Sequence, residues 1–187
     1  MKTLFLKFAI SCVSIIFLQA CTKDDTYTNL PQEAKDLLLY EIGDTFKLRN
    51  VNTNEIILLT VNSKEIYYTK DSNPGWWLGS SGGDNYYQRG EFTFSDVTNC
   101  HNGSVSVETR GSNNFTLKAF IGECFGNIND TFEYQNEPLT ITEVNGITYT
   151  DVYLIKSYSQ TIFYTKSFGI IKIVNNSTQA TQFVIAE

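Results

Sequence analysis

From Phe46 onward the chain is built in steps of two. Phe46/Leu48, Ile56/Leu58, Phe92/Phe94 and Val105/Val107 are each separated by one residue, polar or charged in several cases. Phe115/Leu117/Ala119/Ile121, Phe132/Tyr134, Leu139/Ile141, Ile171/Ile173 and Phe183/Ile185 continue the series. Successive side chains of a strand point to opposite faces, so this period predicts strands with one face buried. Asn52-Thr53-Asn54, Asn145-Gly146 and Asn175-Asn176-Ser177 punctuate the pattern. The Asn-Gly pair between LTITEV and ITYTDVYL is the strongest hairpin signal, because both central residues of a type I′ turn need positive φ. About ten short strands separated by turn signals predict an all-β domain, an antiparallel sandwich or barrel.

One segment departs from this rhythm. Asn29 can cap, Pro31 suits a first turn, and Leu30, Ala34, Leu37 and Leu38 fall on one face of a helix. The expectation is a single short N-terminal helix from about Leu30 to Tyr40, ending before Gly43.

The start of the chain follows a third pattern. Lys2 and Lys7 form a basic head, Phe8 to Leu18 is predominantly apolar, and small Ala20 precedes Cys21. At 1.5 Å per residue that run spans about 16 Å as a helix, half of the ~30 Å hydrocarbon core, so a signal peptide is expected and a membrane span is not. Leu18-Gln19-Ala20-Cys21 resembles the lipobox of bacterial lipoproteins, and Lys23-Asp24-Asp25 resembles the export signal of lipoproteins displayed on the surface of Bacteroidota. The first resemblance implies that the Cys21 thiol carries diacylglycerol and becomes the mature N-terminus. The second implies an outer-membrane protein facing the cell exterior. LPQEAKDLLLYEIGDTFKLRN and NGITYTDVYLIKSYSQTIFYTKSFGIIKIV also look like small Bacteroidota lipoproteins in which a short helix leads into a β domain with Tyr-rich last hairpins. That likeness brings no activity with it. The expected organisation is signal 1–20, flexible tether 21–29 and one β domain 30–187.

Composition narrows the partners. Without residues 1–20 the chain keeps 12 basic against 20 acidic residues, a formal charge of −8. A net-acidic chain with no basic run lacks the footprint of a nucleic-acid binder, and it lacks the polybasic patch that holds proteins on anionic lipid. Attachment to a membrane would then fall to the acyl chains on Cys21. Of four cysteines, Cys12 leaves with the signal and Cys21 takes the lipid. Cys100 and Cys124 remain, in a compartment that permits disulfides, either bridged or as two buried thiols.

Chemical candidates are few. Gly79-Ser80-Ser81-Gly82-Gly83 fits G-x-S-x-G with Ser81 at its centre, but no helical pattern follows, and a Gly/Ser loop accounts for it. Cys100-His101 invites a thiol–imidazole dyad or a metal site with Cys124. Neighbours on a strand point apart, and two thiols with one imidazole leave zinc short of a ligand, so no metal and no cofactor are expected. SNPGWWLGSSGGDNYYQ, residues 72–88, carries both tryptophans, Trp76 and Trp77, followed by Tyr86 and Tyr87. Aromatic faces on a β scaffold suit a sugar- or protein-binding surface; the alternative is that Trp76 and Trp77 fold inward and cover the core. The expectation is a non-enzymatic surface lipoprotein with a binding or assembly role, its partner a glycan or a protein. A barrel carrying a small apolar ligand is the first alternative and a hydrolase built from scattered carboxylates the second.

Overall fold

The computed structural model describes residues 24–71, 83–109, 114–125, 130–134 and 139–186. Among the described residues there are twelve strands: β1 (Thr26–Thr28), β2 (Thr45–Asn50), β3 (Ile56–Lys70), β4 (Asn85–Ser95), β5 (Asn102–Thr109), β6 (Phe115–Ile121), β7 (Asp130–Tyr134), β8 (Thr140–Val144), β9 (Ile147–Lys156), β10 (Gln160–Thr165), β11 (Gly169–Asn175) and β12 (Thr181–Ile185). Ten of them pair antiparallel in the ring β2-β3-β4-β5-β6-β7-β9-β10-β11-β12, and β12 closes it by pairing with β2. The fold is therefore all-β, and of the two expected architectures it is the closed barrel. Closure pairs the wall strands on both sides, which removes the open edges that would template aggregation.

Alternation fills the barrel. Phe46 and Leu48 of β2, Phe92 and Phe94 of β4, Val105 and Val107 of β5, and Leu117, Ala119 and Ile121 of β6 all point inward and are buried. Tyr153, Ile155, Ile162, Tyr164, Ile173 and Phe183 complete the far wall. In the stretch IILL the expected parity is inverted. Leu48 stands opposite Ile57 and Phe46 opposite Leu59, so Ile57 and Leu59 face the core while Ile56 and Leu58 are exposed. Four consecutive apolar residues carry no period, and the partner strand decides the register. Ile171 and Ile173 also separate, because a bulge opposite Phe163/Tyr164 sends Ile171 outward and leaves Ile173 inside.

The expected helix shrinks to one turn, α1 (Gln32–Lys35). Leu30, Ala34, Leu37 and Leu38 are all buried as the pattern implied, but inside the barrel mouth. The barrel takes over the carbonyls that a longer helix would use: the Tyr164 hydroxyl donates to Leu37 O, and Lys64 Nζ donates to Leu38 O at 2.8 Å. Chain 30–38 is thus a plug. Fully burying an aliphatic side chain yields about 1.5–3 kcal/mol, which favours this placement over a free amphipathic helix. The opposite end is closed by the 3₁₀ turn Glu123–Phe125, whose Phe125 ring packs edge-on against Phe183 at 5.2 Å.

Two pieces lie outside the ring. β8 and the start of β9 form a hairpin with Asn145 at φ 53° and Gly146 at φ 79°, the conformation the Asn-Gly signal predicts. At Asp151, with φ 54°, β9 leaves this hairpin and enters the wall; Asx residues tolerate that left-handed conformation. The flap so formed packs Val144, Tyr149 and Val152 on the outer side of Ile171 and Val184, making a second small core. This explains why Leu139 and Ile141, expected to be half-buried, are exposed: the opposite face of β8 meets the barrel. The second piece is β1. It pairs parallel with the start of β4, Tyr27 opposite Tyr86, so the stretch expected as a tether is partly strand.

Candidate functional site

β3 has 15 residues where β2 has 6, about 50 Å against 20 Å at 3.3 Å per residue. β2 pairs with β3 only over Ile56–Thr60, whereas β4 follows it to Lys70. The β3–β4 hairpin therefore projects as an arm beyond the barrel mouth. On the arm the in–out alternation of burial fails. Ile66, Tyr67 and Tyr68 are exposed by 46, 39 and 42 %, and Tyr27 of the adjoining β1 by 55 %. Ile66, at the base of the arm, still stands opposite buried Gly90 beside the plug residues Leu30 and Leu38, whereas Tyr67 and Tyr68 beyond it meet solvent on both faces of the ribbon.

The arm is organised. Tyr27 stacks on Tyr86 with centroids 4.9 Å apart and planes within 9°, and meets Tyr68 edge-on at 5.2 Å. The Tyr68 hydroxyl donates to Asn29 Oδ1, and Gln88 Oε1 accepts from Leu30 N at 3.1 Å, which ties the arm to the plug. Toward the tip, Lys70 pairs with Asp84 at 2.6 Å, and that contact holds the exposed ammonium above its ordinary pKa. Asp84 N donates to Asp25 Oδ1 at 2.8 Å. Side chains from three separate stretches hold the tyrosine rings in fixed attitudes.

The expected aromatic pair divides. Tyr86 and Tyr87 are neighbours on β4, so they face opposite ways, and each is half-buried. Tyr86 joins the stack with Tyr27. Tyr87 lies on the other face, where burial first and then the Glu108 carboxylate raise its pKa. On that second face, Ser63, Glu65, Tyr67, Glu91 and Thr93 line a shallow groove of about 290 Å³. Glu65 and Glu91 stand directly opposite each other, and Arg89 reaches Glu91 at 3.2 Å. A ring beside carboxylates and hydroxyls can stack on a sugar while accepting hydrogen bonds from its hydroxyls. Tyr27, Ile66, Tyr67 and Tyr68 were not singled out by sequence. The signal was present in Glu65-Ile66-Tyr67-Tyr68-Thr69, where three large residues in a row break the period of two.

Trp76, Trp77, Ser81 and Cys21 lie outside the described residues. Cys100 and Cys124 come together as a disulfide, with Cα atoms 5.6 Å apart, at the barrel end opposite the arm. With that sulfur occupied, Cys100 is no partner for a dyad. His101 contacts Asp96 instead, Nδ1 to Oδ2 at 2.9 Å, and its ring sits edge-on to Phe125 at 5.1 Å. Asp96 Oδ1 also accepts from Thr98 N at 3.1 Å and Cys100 N at 3.0 Å, the pattern of a capped turn. Partial burial raises the Asp96 pKa, but the hydrogen bonds from His101, Thr98 and Cys100 together outweigh it and hold the carboxyl below its ordinary value. Among the described residues no three His, Cys, Asp or Glu side chains are placed to share a metal ion. Comparison of the chain with protein-family models, with curated proteins and with solved structures finds no match.

Proposed function

We propose that this chain is a lipid-anchored outer-membrane protein, displayed on the cell exterior, that binds a glycan or protein through its aromatic arm. The barrel is its scaffold. One observation carries this reading: four large side chains are exposed on a braced ribbon, Tyr27, Ile66 and Tyr68 on one face and Tyr67 on the other, while the barrel interior is filled. Burying such groups against water is costly to forgo, and Trp and Tyr dominate binding hot spots. β1 begins five residues after Cys21, so a fully extended connection reaches about 17 Å, which bounds how far the arm would stand from an acylated Cys21. A partner at the membrane surface fits that placement, either the glycan of an outer-leaflet lipid or the exposed part of a membrane protein. The groove beside Tyr67, with its carboxylates and hydroxyls, favours the glycan.

The arm is tested by replacing Tyr27, Tyr67 and Tyr68 with serine and measuring retention on a glycan array and on intact cells of the producing strain. Each hot-spot tyrosine is worth 2 kcal/mol or more, about thirtyfold in affinity, so the triple variant should lose retention while its melting temperature falls by only a few degrees. Equal retention by the triple variant refutes the arm as the contact surface. The closed barrel also favours a second reading, a carrier of an apolar ligand; the plug opposes it, and the first experiment of the Discussion separates the two.

A further inference from the structure

A second site lies far from the arm, under the flap. The register of three neighbouring strands puts Arg49, Val184 and Lys172 in one cross-strand row, Arg49 opposite Val184 and Val184 opposite Lys172. With strands about 4.8 Å apart, the two cationic residues start about 10 Å from each other on the outer wall. The flap roofs this row with Glu143, Val144 and Asn145, and the result is a cleft of about 410 Å³ that Val51, Asn54 and Thr181 also line. That volume lies within the ordinary range of small-ligand sites.

The charges in this cleft are unusual for the molecule. Lys64, Lys70, Arg89, Lys118 and Lys166 each pair with a carboxylate. Among the described residues no carboxylate lies within 4.0 Å of Arg49 or Lys172. Arg49 is half-buried and held in place, since its guanidinium donates to Asn145 Oδ1 at 2.8 Å while Asn145 Nδ2 donates to Ile185 O at 3.0 Å. Lys172 stands over the Phe163 ring of β10, Nζ 5.2 Å from the centroid and on the side of β11 away from Arg49, so meeting an anion beside Arg49 takes a rotation of the lysine side chain. Glu143 is exposed, so water screens it. Two cations with no carboxylate in contact among the described residues, on a chain with a surplus of carboxylates, call for an anion from outside. A guanidinium fork binds carboxylate or phosphate through two parallel hydrogen bonds, and Asn54 and Thr181 add groups that pair with hydroxyls.

We infer that the cleft between flap and barrel binds a small hydroxyl-bearing ligand through one anionic group, a carboxylate or a phosphate, clamped between Arg49 and Lys172. The probes are glucuronate, glucose and inorganic phosphate, titrated calorimetrically into the purified protein at low ionic strength. Saturable one-to-one binding is expected for glucuronate, for phosphate or for both, and not for glucose. Glucuronate alone identifies an acidic sugar, and phosphate alone a phosphorylated ligand. Lys172→Gln should weaken binding by about tenfold or more, the ordinary worth of a charge-assisted hydrogen bond. Arg49→Gln should do the same, but it also releases Asn145 and can loosen the flap; Lys172 lies over Phe163 and makes no hydrogen bond to the flap among the described residues, so Lys172→Gln decides. The inference is overturned if neither anion binds, if glucose binds as well as glucuronate, or if Lys172→Gln leaves affinity unchanged.

Discussion

Leu37→Ala separates a filled scaffold from a carrier. Leu37 is fully buried in the barrel mouth, and its carbonyl accepts the Tyr164 hydroxyl. The substitution removes three methylene-sized groups, about 2.4 kcal/mol of transfer free energy at 0.8 each. The wall around the plug is a closed hydrogen-bonded ring, so it cannot collapse onto the vacancy. A residual cavity of about 60 Å³ adds about 1.4 kcal/mol at 24 cal/mol per Å³, and the total approaches 4 kcal/mol. For a chain of this size that lowers the melting temperature by about 8–16 °C. Tyr164→Phe should on its own cost about 1–3 kcal/mol, because it leaves the Leu37 carbonyl buried without that donor. Urea titration supplies both numbers, and a fluorescent fatty acid added to the wild type supplies the companion measurement. The filled-scaffold reasoning expects a large stability loss in the variant and no uptake of the fatty acid by the wild type. A Leu37→Ala cost under about 1 kcal/mol, together with stoichiometric fatty-acid binding by the wild type, would refute it and restore the carrier.

Three further outcomes are expected. Mass spectrometry of the native protein should find diacylglyceryl Cys21 with nothing upstream, and Cys21→Ser should release the protein from membranes; firm attachment of that variant would end the anchor reading. A non-reducing peptide map should recover Cys100 joined to Cys124, and reduction should cost about 3 kcal/mol in the chain-entropy model, whereas two freely alkylated thiols would contradict the bridge. Asp96→Asn should cost about 2 kcal/mol near neutral pH, since several hydrogen bonds to a charged acceptor go with it. Because the folded-state pKa of Asp96 is depressed, its contribution is complete above the unfolded value of about 3.9 and is lost as pH falls through the lower folded value. Wild-type and variant stability curves should therefore converge in acid, and a gap independent of pH would show that the turn does not depend on the charge.

Much of the barrel could be read from the chain, and the failures share a cause. Where apolar residues alternate with polar ones, as at Phe92/Phe94 or Val105/Val107, the inward set was identified correctly. Where they run together, as in Ile56-Ile57-Leu58-Leu59, parity is undefined, and only the pairing of Leu48 with Ile57 settles it. Asn145-Gly146 was legible because the turn needs a local backbone conformation that few residue pairs supply. The helix was misjudged in length for the opposite reason. Its apolar face was real, but Tyr164, 127 positions away from Leu37, claims a carbonyl that local pattern assigns to the helix. Of the candidate site, the aromatic character near residue 86 was visible and the arm was not. A projecting ribbon is defined by where its neighbours stop, and the length of β2 relative to β3 is a property of two strands.

The N-terminal segment binds these features into one argument about mechanism. Thr26–Thr28 pairs with the arm, and residues 30–38 fill the barrel mouth. If Cys21 is acylated, only the four residues 22–25 lie between the anchor and β1, so the domain would be held near the membrane with its arm end inward instead of swinging on a long leash. The barrel end bearing the Cys100–Cys124 disulfide and the Asp96 turn then faces away from the lipid. That orientation gives the two proposed surfaces different tasks. The arm would meet whatever is fixed at the membrane, while the Arg49–Lys172 cleft, on the outer wall toward the other end, would stay open to solutes. It also makes the segment a point of mechanical coupling. Tension on the lipid would act on the parallel β1–β4 pairing, of three residue pairs among the described residues, before it reaches the plug. Deleting Thr26–Thr28 should therefore free the arm without unfolding the barrel. Proteolysis should show new cuts near Tyr67 and Tyr68, with the melting temperature lowered by only a few degrees; global unfolding on that deletion would place β1 in the core of the fold.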